Sequence, residues 1–490
     1  MSSTKAGPSA ARAMLFRVFL LLAAYASTAL AQDRPTTTQS VAGKLIYIAH
    51  VTVVDTENGE ETQDQTVIIS GDRIADLRPS KSAKPPANAK VVEGGGKFLI
   101  PGLWDMHVHA VFAERLDSMF PMFVANGVLG IRDMGTSMPL ADIDHLRQQT
   151  ASGSRLGPRI VAAGPILDGR PQPIRANFLA ITAPDDGREA VRSLKAGGSQ
   201  FIKVYSWLSR DTFLAIAAEA HKQNIPIAGH VPFSVSALEA SDAGQKSLEH
   251  LWGIYLSCSS REDELRSEML RGGVNLSGSE RIRLEFDEAA ASYDEGKAAK
   301  VFAHLARNRT WVVPTFTAVL PISRAFDVQV TGDPRLKYIP PTVHKRWSEA
   351  MSAGGAINDK SFERKLQVVG AMQRAGVPLL AGTDAAWQQP YTYAGFSLHD
   401  ELALLVRAGL TPLEALQTAT INPALYLGLE NDLGTIAKGK VANMVLLEAD
   451  PLLAIGNTRK IDTVVVNGRL LDHKALDSLL AEAENDVKNK

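Results

Sequence analysis

Residues 98–110 read Phe-Leu-Ile-Pro-Gly-Leu-Trp-Asp-Met-His-Val-His-Ala. An apolar run enters a Pro101-Gly102 step and leaves as a strand that carries His107 and His109. Side chains two apart on a strand share a face, so both imidazoles project together, as a metal site requires. Asp105 precedes the pair with the same parity. A histidine pair alone is weak evidence, since core and solvent-facing pairs are common. Its weight depends on what the rest of the chain supplies.

The 490-residue chain is 45% hydrophobic and 21% charged, a globular composition with ample core. A formal net charge of −1 gives no reason to expect a nucleic-acid partner. Cys258 is the only cysteine, which rules out an internal disulfide and any Cys-based metal centre. A metal would have to rely on His, carboxylates or a less usual group. Residues 1–31 carry only Lys5, Arg12 and Arg17 as charges, are mostly apolar from Leu15 to Ala24, and end in Ala29-Leu30-Ala31. This reads as a secretory signal peptide with an A-x-A cleavage site, so the mature protein is expected to be exported, periplasmic or secreted. An uncleaved membrane anchor is the alternative. No later segment is long and apolar enough to span a bilayer.

Residues 32–43 form a polar linker. From 44 to 100 Val, Ile and Thr dominate, and the pattern is β. Residues 426–475 repeat that pattern, and 476–490 form a C-terminal tail or helix. The two β-rich flanks suggest one small β-sandwich domain built from both chain ends. Between them, across 101–425, eight β-type runs alternate with helical stretches: Leu103–His109, Val128–Asp133, Arg159–Ile166, Phe201–Tyr205, Ile225–Val231, Ser247–Leu251, Thr310–Thr317 and Pro378–Asp384. The helical stretches include Ser279–Ala306, read as one run. Such alternation gives parallel βαβ units, and eight of them fit a closed (β/α)8 TIM-type barrel of the α/β class. An open doubly wound sheet lacks its Gly-rich fingerprint here.

Barrel chemistry sits at the C-terminal ends of the strands. His107 and His109 end the first run, Lys203 lies in the fourth, His230 ends the fifth, His250 the sixth and Asp384 the eighth. Each is a polar group in or at the tip of an apolar strand, a costly placement unless paired or ligated.

These positions, with SLHDELALLVRAGLTPLEALQTATINPALYLGL (397–429) and GTIAKGKVANMVLLEADPL (434–452), resemble the amidohydrolase superfamily, in its branch of imidazolonepropionase-like and prolidase-like enzymes. The resemblance covers nearly the whole mature chain. It implies two divalent metal ions: His107, His109 and Asp384 hold one, His230 and His250 the other, and an N-carboxylated Lys203 bridges them. An ammonium cannot ligate, whereas a desolvated neutral lysine reacts with carbon dioxide to give a bidentate anion. Such N/O ligation suits zinc, with manganese, iron and cobalt also open. The resemblance further implies that a water activated by the metals attacks a carbonyl, with Asp384 as the catalytic proton shuttle. The favoured substrate is a small amide: a dipeptide of the prolidase type or an N-acyl amino acid. A cyclic amide, lactone or ester would suit the same machinery, and a non-catalytic binding protein is the reading from another class.

Further candidates are secondary. Tyr205 shares parity with Lys203 and is expected to face substrate. Asp105 is a candidate to orient a ligand histidine. Arg170 and Arg175, after the third strand, are candidates for a substrate carboxylate. Trp387, Tyr391 and Tyr393 follow Asp384 and are candidates to line a pocket. The stretch 257–359 is long and charged. It reads as a lid over the site, or as peripheral decoration or a homo-oligomer contact.

Overall fold

The computed structural model describes residues 45–169, 176–276, 278–320, 332–353, 359–488 and 490. The expected signal peptide and linker lie outside the described residues, as do Arg170 and Arg175. Lys44–Lys490 is one compact unit.

The chain opens with β1 (Ile46–Val54), β2 (Glu61–Ser70), β3 (Arg73–Pro79), β4 (Lys90–Glu93) and β5 (Phe98–Pro101). Next come β6 (Leu103–Val108), β7 (Val128–Asp133), β8 (Arg159–Ala162), β9 (Ile166–Asp168), β10 (Phe178–Ala180), β11 (Ile202–Val204), β12 (Ile227–Gly229), β13 (Gln245–Glu249) and β14 (Trp311–Val313). The chain closes with β15 (Met444–Leu447), β16 (Ile461–Val466), β17 (Arg469–Asp472) and the helix His473–Lys488.

Strands from both chain ends share one eight-stranded sheet, in the order β17-β16-β15-β5-β1-β2-β3, with β4 beside β1. Ile48, Val67, Ile69, Ile74, Leu99, Met444, Leu446 and Val465 converge on one core within it. Strands from both chain ends thus build one sheet around a shared apolar cluster, as the two β-rich flanks suggest.

The middle of the chain closes into the barrel. β6, β7 and β8 pair in parallel, and β9, β11, β12, β13 and β14 form a second parallel run. β8 and β9 follow one another as one interrupted third strand. Residues 378–385 supply the eighth. The Leu380 amide donates to Val312 (3.0 Å), and the amides of Met106 and His109 donate to Ala381 (2.9 Å) and Ala385 (3.0 Å), joining the last strand to the first. Strands buried on both faces read as continuous apolar runs, which is why the alternation was visible in the sequence.

Two elements depart from expectation. The seventh strand stops at Val313, because Thr315 turns left-handed (φ 48°) and Phe316–Val319 is helical. There the amides of Phe316 and Thr317 donate to the Glu401 carboxylate at 2.9 and 2.8 Å, a helix start that outcompetes strand extension. The expected single helix over 279–306 is broken. It contains a π-turn at Arg283–Glu288 and ends at Ala291, and a new helix, Glu295–Arg307, is capped by Asp294, whose carboxylate accepts the Lys297 amide at 2.7 Å.

Candidate active site

The residues singled out at the strand ends come together at one end of the barrel. Nε2 of His107 and of His109 lie 3.5 and 3.4 Å from Asp384 Oδ1. The His250 ring is 4.4 Å from that of His107 and 5.0 Å from that of His230, centre to centre. Lys203 sits among them, its charge acting on His107, His230, His250 and Asp384. Ligand atoms of His107, His250 and Asp384 lie within 4.8 Å of one another.

Each imidazole is oriented through Nδ1. His107 Nδ1–H donates to Glu249 Oε2 (2.7 Å) and His109 Nδ1–H to the Gly135 carbonyl (3.0 Å). His230 Nδ1 pairs with the Ser206 hydroxyl (2.9 Å) and His250 Nδ1 with that of Thr315 (2.7 Å). Anchoring at Nδ1 fixes each ring and reserves Nε2 as the ligating atom. Backbone shape contributes too. His250 (φ 62°) and Asp384 (φ 58°) both occupy the left-handed region, which costs a non-glycine residue on the order of 1 kcal/mol and marks positions held by their surroundings. Gly382 allows the eighth strand its close approach: a Cβ there would lie 2.8 Å from His107 Cβ and 2.9 Å from its amide nitrogen.

Burial sets the charge states. It holds His107, His230 and His250 well below the usual imidazole range, with Lys203 adding to the effect, so these rings are neutral. Burial also draws the Lys203 amine down to about 8, against the pull of Glu249 and Asp384. It pushes the Asp384 carboxyl up to about 7, against the nearby Lys203 charge. Lys203 Nζ and His107 Nε2 are buried without a hydrogen-bond partner. Unpaired buried polar atoms cost about 1–3 kcal/mol each, so two of them facing neutral imidazoles and a carboxylate fit a site built for cations. A nitrogen and oxygen donor set of this kind can hold a divalent metal ion.

Sequence reasoning missed the floor of the site. Glu249 and Arg132 are fully buried, and the guanidinium donates to Glu249 Oε1 (2.9 Å), the Met106 carbonyl (2.6 Å), Ser247 (2.9 Å) and Tyr426 (2.8 Å). Glu249 therefore links the His107 ring to a buried cation. The signal was present: Glu249 adjoins His250 in Ser-Leu-Glu-His, a carboxylate inside an apolar strand. Asp105, expected to orient a histidine ring, instead accepts the Thr383 hydroxyl (2.6 Å), the Thr383 amide (3.0 Å) and the His107 amide (3.3 Å). It ties the first strand to the eighth by backbone, and burial pushes its carboxyl up to about 7.

A cavity of about 340 Å³ opens over His230, His250 and Asp384. Tyr205 lines it, stacked on His230 at 3.9 Å. So do Arg281, Ile282 and Phe286, which makes part of the 257–359 stretch a wall of the site. Trp387 is not among the lining residues, whereas its neighbours Gln388 and Gln389 are. The Trp387 carbonyl accepts Trp347 Nε1–H at 2.8 Å, and Tyr391 and Tyr393 pack with Trp347, Val343 and Ile339. These three aromatics thus bind the later half of the insertion to the barrel.

Residues 98–471 match the model described as the Amidohydrolase family. Ochratoxinase from Aspergillus niger is 23% identical over 484 residues, covering 86% of this chain and 85% of its own. Among solved structures, a bottromycin amidohydrolase superposes with a TM-score of 0.70 at 23% identity over 90% of each chain. A Xaa-Pro dipeptidase with bound methionine superposes at 0.63 and 19% identity, over 88% of this chain and all of its own. At these identities the structural likenesses establish the fold. The family match spans most of the chain, and with it the chain belongs to the amidohydrolase family, hydrolases acting on carbon–nitrogen bonds.

Proposed function

We propose that this amidohydrolase is a binuclear metal enzyme that cleaves a small linear amide, either a prolidase-type dipeptide or an N-acyl amino acid, and that it works outside the cytoplasm. The observation that carries the reading is the unpartnered Lys203 amine enclosed by neutral, Nδ1-anchored imidazoles. His107, His109 and Asp384 would hold one ion and His230 and His250 the other, with Lys203 between them as its carbamate. Two such ions, when bound, lower the pKa of water and polarise a carbonyl. Asp384, which lines the cavity, would take the water proton and return it to the leaving nitrogen. Glu249 and Arg132 hold the His107 ring throughout. A cavity of about 340 Å³ suits a substrate of dipeptide size. The structural neighbours named dipeptidase and amidohydrolase support amide chemistry. Export rests on the composition of residues 1–31; no helix of the described residues is long and apolar enough to cross a membrane.

The test is metal analysis of the zinc-loaded mature protein, followed by assay against a library of dipeptides and N-acyl amino acids with released amine as readout. Two ions per chain and turnover of a coherent subset are expected. A silent library with both ions bound refutes the linear-amide substrate and turns attention to cyclic amides, lactones and esters. Protein recovered from the periplasm is expected to begin at Gln32; an intact N-terminus refutes signal cleavage.

A further inference from the structure

Arg281, on the short helix Gly278–Ile282, lines the same cavity as His230, His250 and Asp384. Its guanidinium lies over the Trp252 ring at 5.5 Å, and Trp252 stacks on His230 at 5.9 Å and 27°. The cation is therefore one indole removed from a site imidazole. Its Nε is buried without a hydrogen-bond partner, and among the described residues no carboxylate lies within ion-pair distance of it. Asp168 and Glu285 feel its charge at longer range; each gives one oxygen to the backbone and leaves the other buried without a partner, yet neither reaches the guanidinium. Asp168 accepts the amides of Trp207 (2.6 Å) and Gly169 (2.9 Å), and Glu285 accepts that of Gly253 (2.6 Å). A guanidinium is permanently charged and carries five donors in a planar fork matched to a carboxylate. Here that fork is held in a cavity whose walls include the rings of Tyr205, Phe233, Trp252 and Phe286, beside the polar Ser206, Gln388 and Gln389.

We propose that Arg281 binds a free carboxylate of the substrate, so that the enzyme acts on amides bearing a carboxylate a few bonds from the scissile carbonyl together with an apolar or aromatic side chain. The carboxylate makes and breaks no bond. It anchors one end of the substrate so that the carbonyl is held over the site. Arg281 joins Arg170 and Arg175, which lie outside the described residues, as a candidate for the substrate carboxylate. The assignment rests on the amide-hydrolase reading for its substrate, but the arginine's preference for a carboxylate can be measured separately.

The test uses the mature, metal-loaded protein with Arg281→Gln and Arg281→Lys variants. The first ligand pair is N-benzoyl-phenylalanine and N-benzoyl-phenethylamine, which differ only by the carboxylate, read as the ratio of their kcat/KM values. The second is 4-phenylbutanoate and 4-phenylbutanol, read as the ratio of their Kd values by calorimetry. The carboxylate member of each pair is expected to be preferred, and Arg281→Gln to cut that preference about 10–100-fold, with Arg281→Lys between. A preference equal in wild type and Arg281→Gln overturns the proposal, as does its absence from wild type. Turnover of both amides without preference removes the arginine assignment and leaves the hydrolase reading standing. A calorimetric preference lost in Arg281→Gln, with neither amide cleaved, keeps the arginine assignment and counts against the hydrolase reading. Arg281→Lys keeps the charge, so a fold lost only in Arg281→Gln leaves the comparison of Arg281→Lys with wild type decisive.

Discussion

Lys203 and Lys365 are both 1% exposed, and both end in an amine without a hydrogen-bond partner. Burial draws both down, Lys203 to about 8 and Lys365 to about 7. Their surroundings separate them. Lys203 stands among the imidazoles of the barrel and Asp384. Lys365, on the helix Asp359–Arg374, lies 3.4 Å from the centre of the Phe286 ring, and the charges acting on it are Glu285 and Asp287. Glu285 is itself buried and pushed up to about 7. An orphaned buried lysine by itself reports desolvation. Among neutral imidazoles it fits the ligand role proposed above; beside a lone buried acid it is one half of a pair that can neutralise itself.

The largest effect should come from Lys203→Met. Loss of at least one metal ion and about 10³-fold or more of the hydrolytic rate is expected, with the fold unchanged by circular dichroism. Retention of both ions at full activity would erase the distinction between the two lysines. Next comes Glu249→Gln, which leaves His107 without a carboxylate and Arg132 without its charged partner. We expect metal affinity or activity to fall about 10–100-fold and stability by about 3 kcal/mol, measured by chelator competition and denaturant titration. Unchanged metal affinity would mean that Glu249 serves Arg132 alone.

The smallest effect sharpens the other side of the comparison. Glu285→Gln with Lys365→Met should keep both metals and hydrolysis and raise stability at pH 7 by about 1–3 kcal/mol. The sign follows from proton counts. Glu285 is raised from 4.5 to about 7, so between those values the unfolded chain binds fewer protons and wild-type stability falls as pH rises. Lys365 is lowered from 10.5 to about 7, so between those values the unfolded chain binds more protons and stability rises with pH. The gain in the double variant should therefore peak near pH 7 and shrink on both sides. A gain that does not vary with pH would show that these groups keep their ordinary titration.

The barrel was legible because its strands are buried on both faces and stand out as apolar runs, and because a polar residue at the tip of such a run is conspicuous. His107, Lys203, His230, His250 and Asp384 all announce themselves in that way. Glu249 met the same criterion, but its neighbour His250 absorbed the reading, and no periodicity says which ring a carboxylate will meet across the barrel. Asp105 shared parity with the histidines, yet a short side chain beside the eighth strand found Thr383 before any imidazole. The stretch containing Arg281 stood out as long and charged, but no single charge within it did, because a broken helix with a π-turn has no single apolar period. Trp387, Tyr391 and Tyr393 followed Asp384 in sequence, but the chain turns after the strand and carries them toward Trp347.

The sheet shared by the two chain ends sets a clock. β5 lies between β1 and β15, and Pro101 is matched with Met444. At about 5–20 residues per second of synthesis, β5 waits on the order of 20–60 s for its second neighbour to leave the ribosome. Until then the amino-terminal strands present an open edge, a template for pairing with other chains. A nascent chain that cannot complete its sheet until synthesis is nearly over therefore carries that uncovered edge through most of its translation.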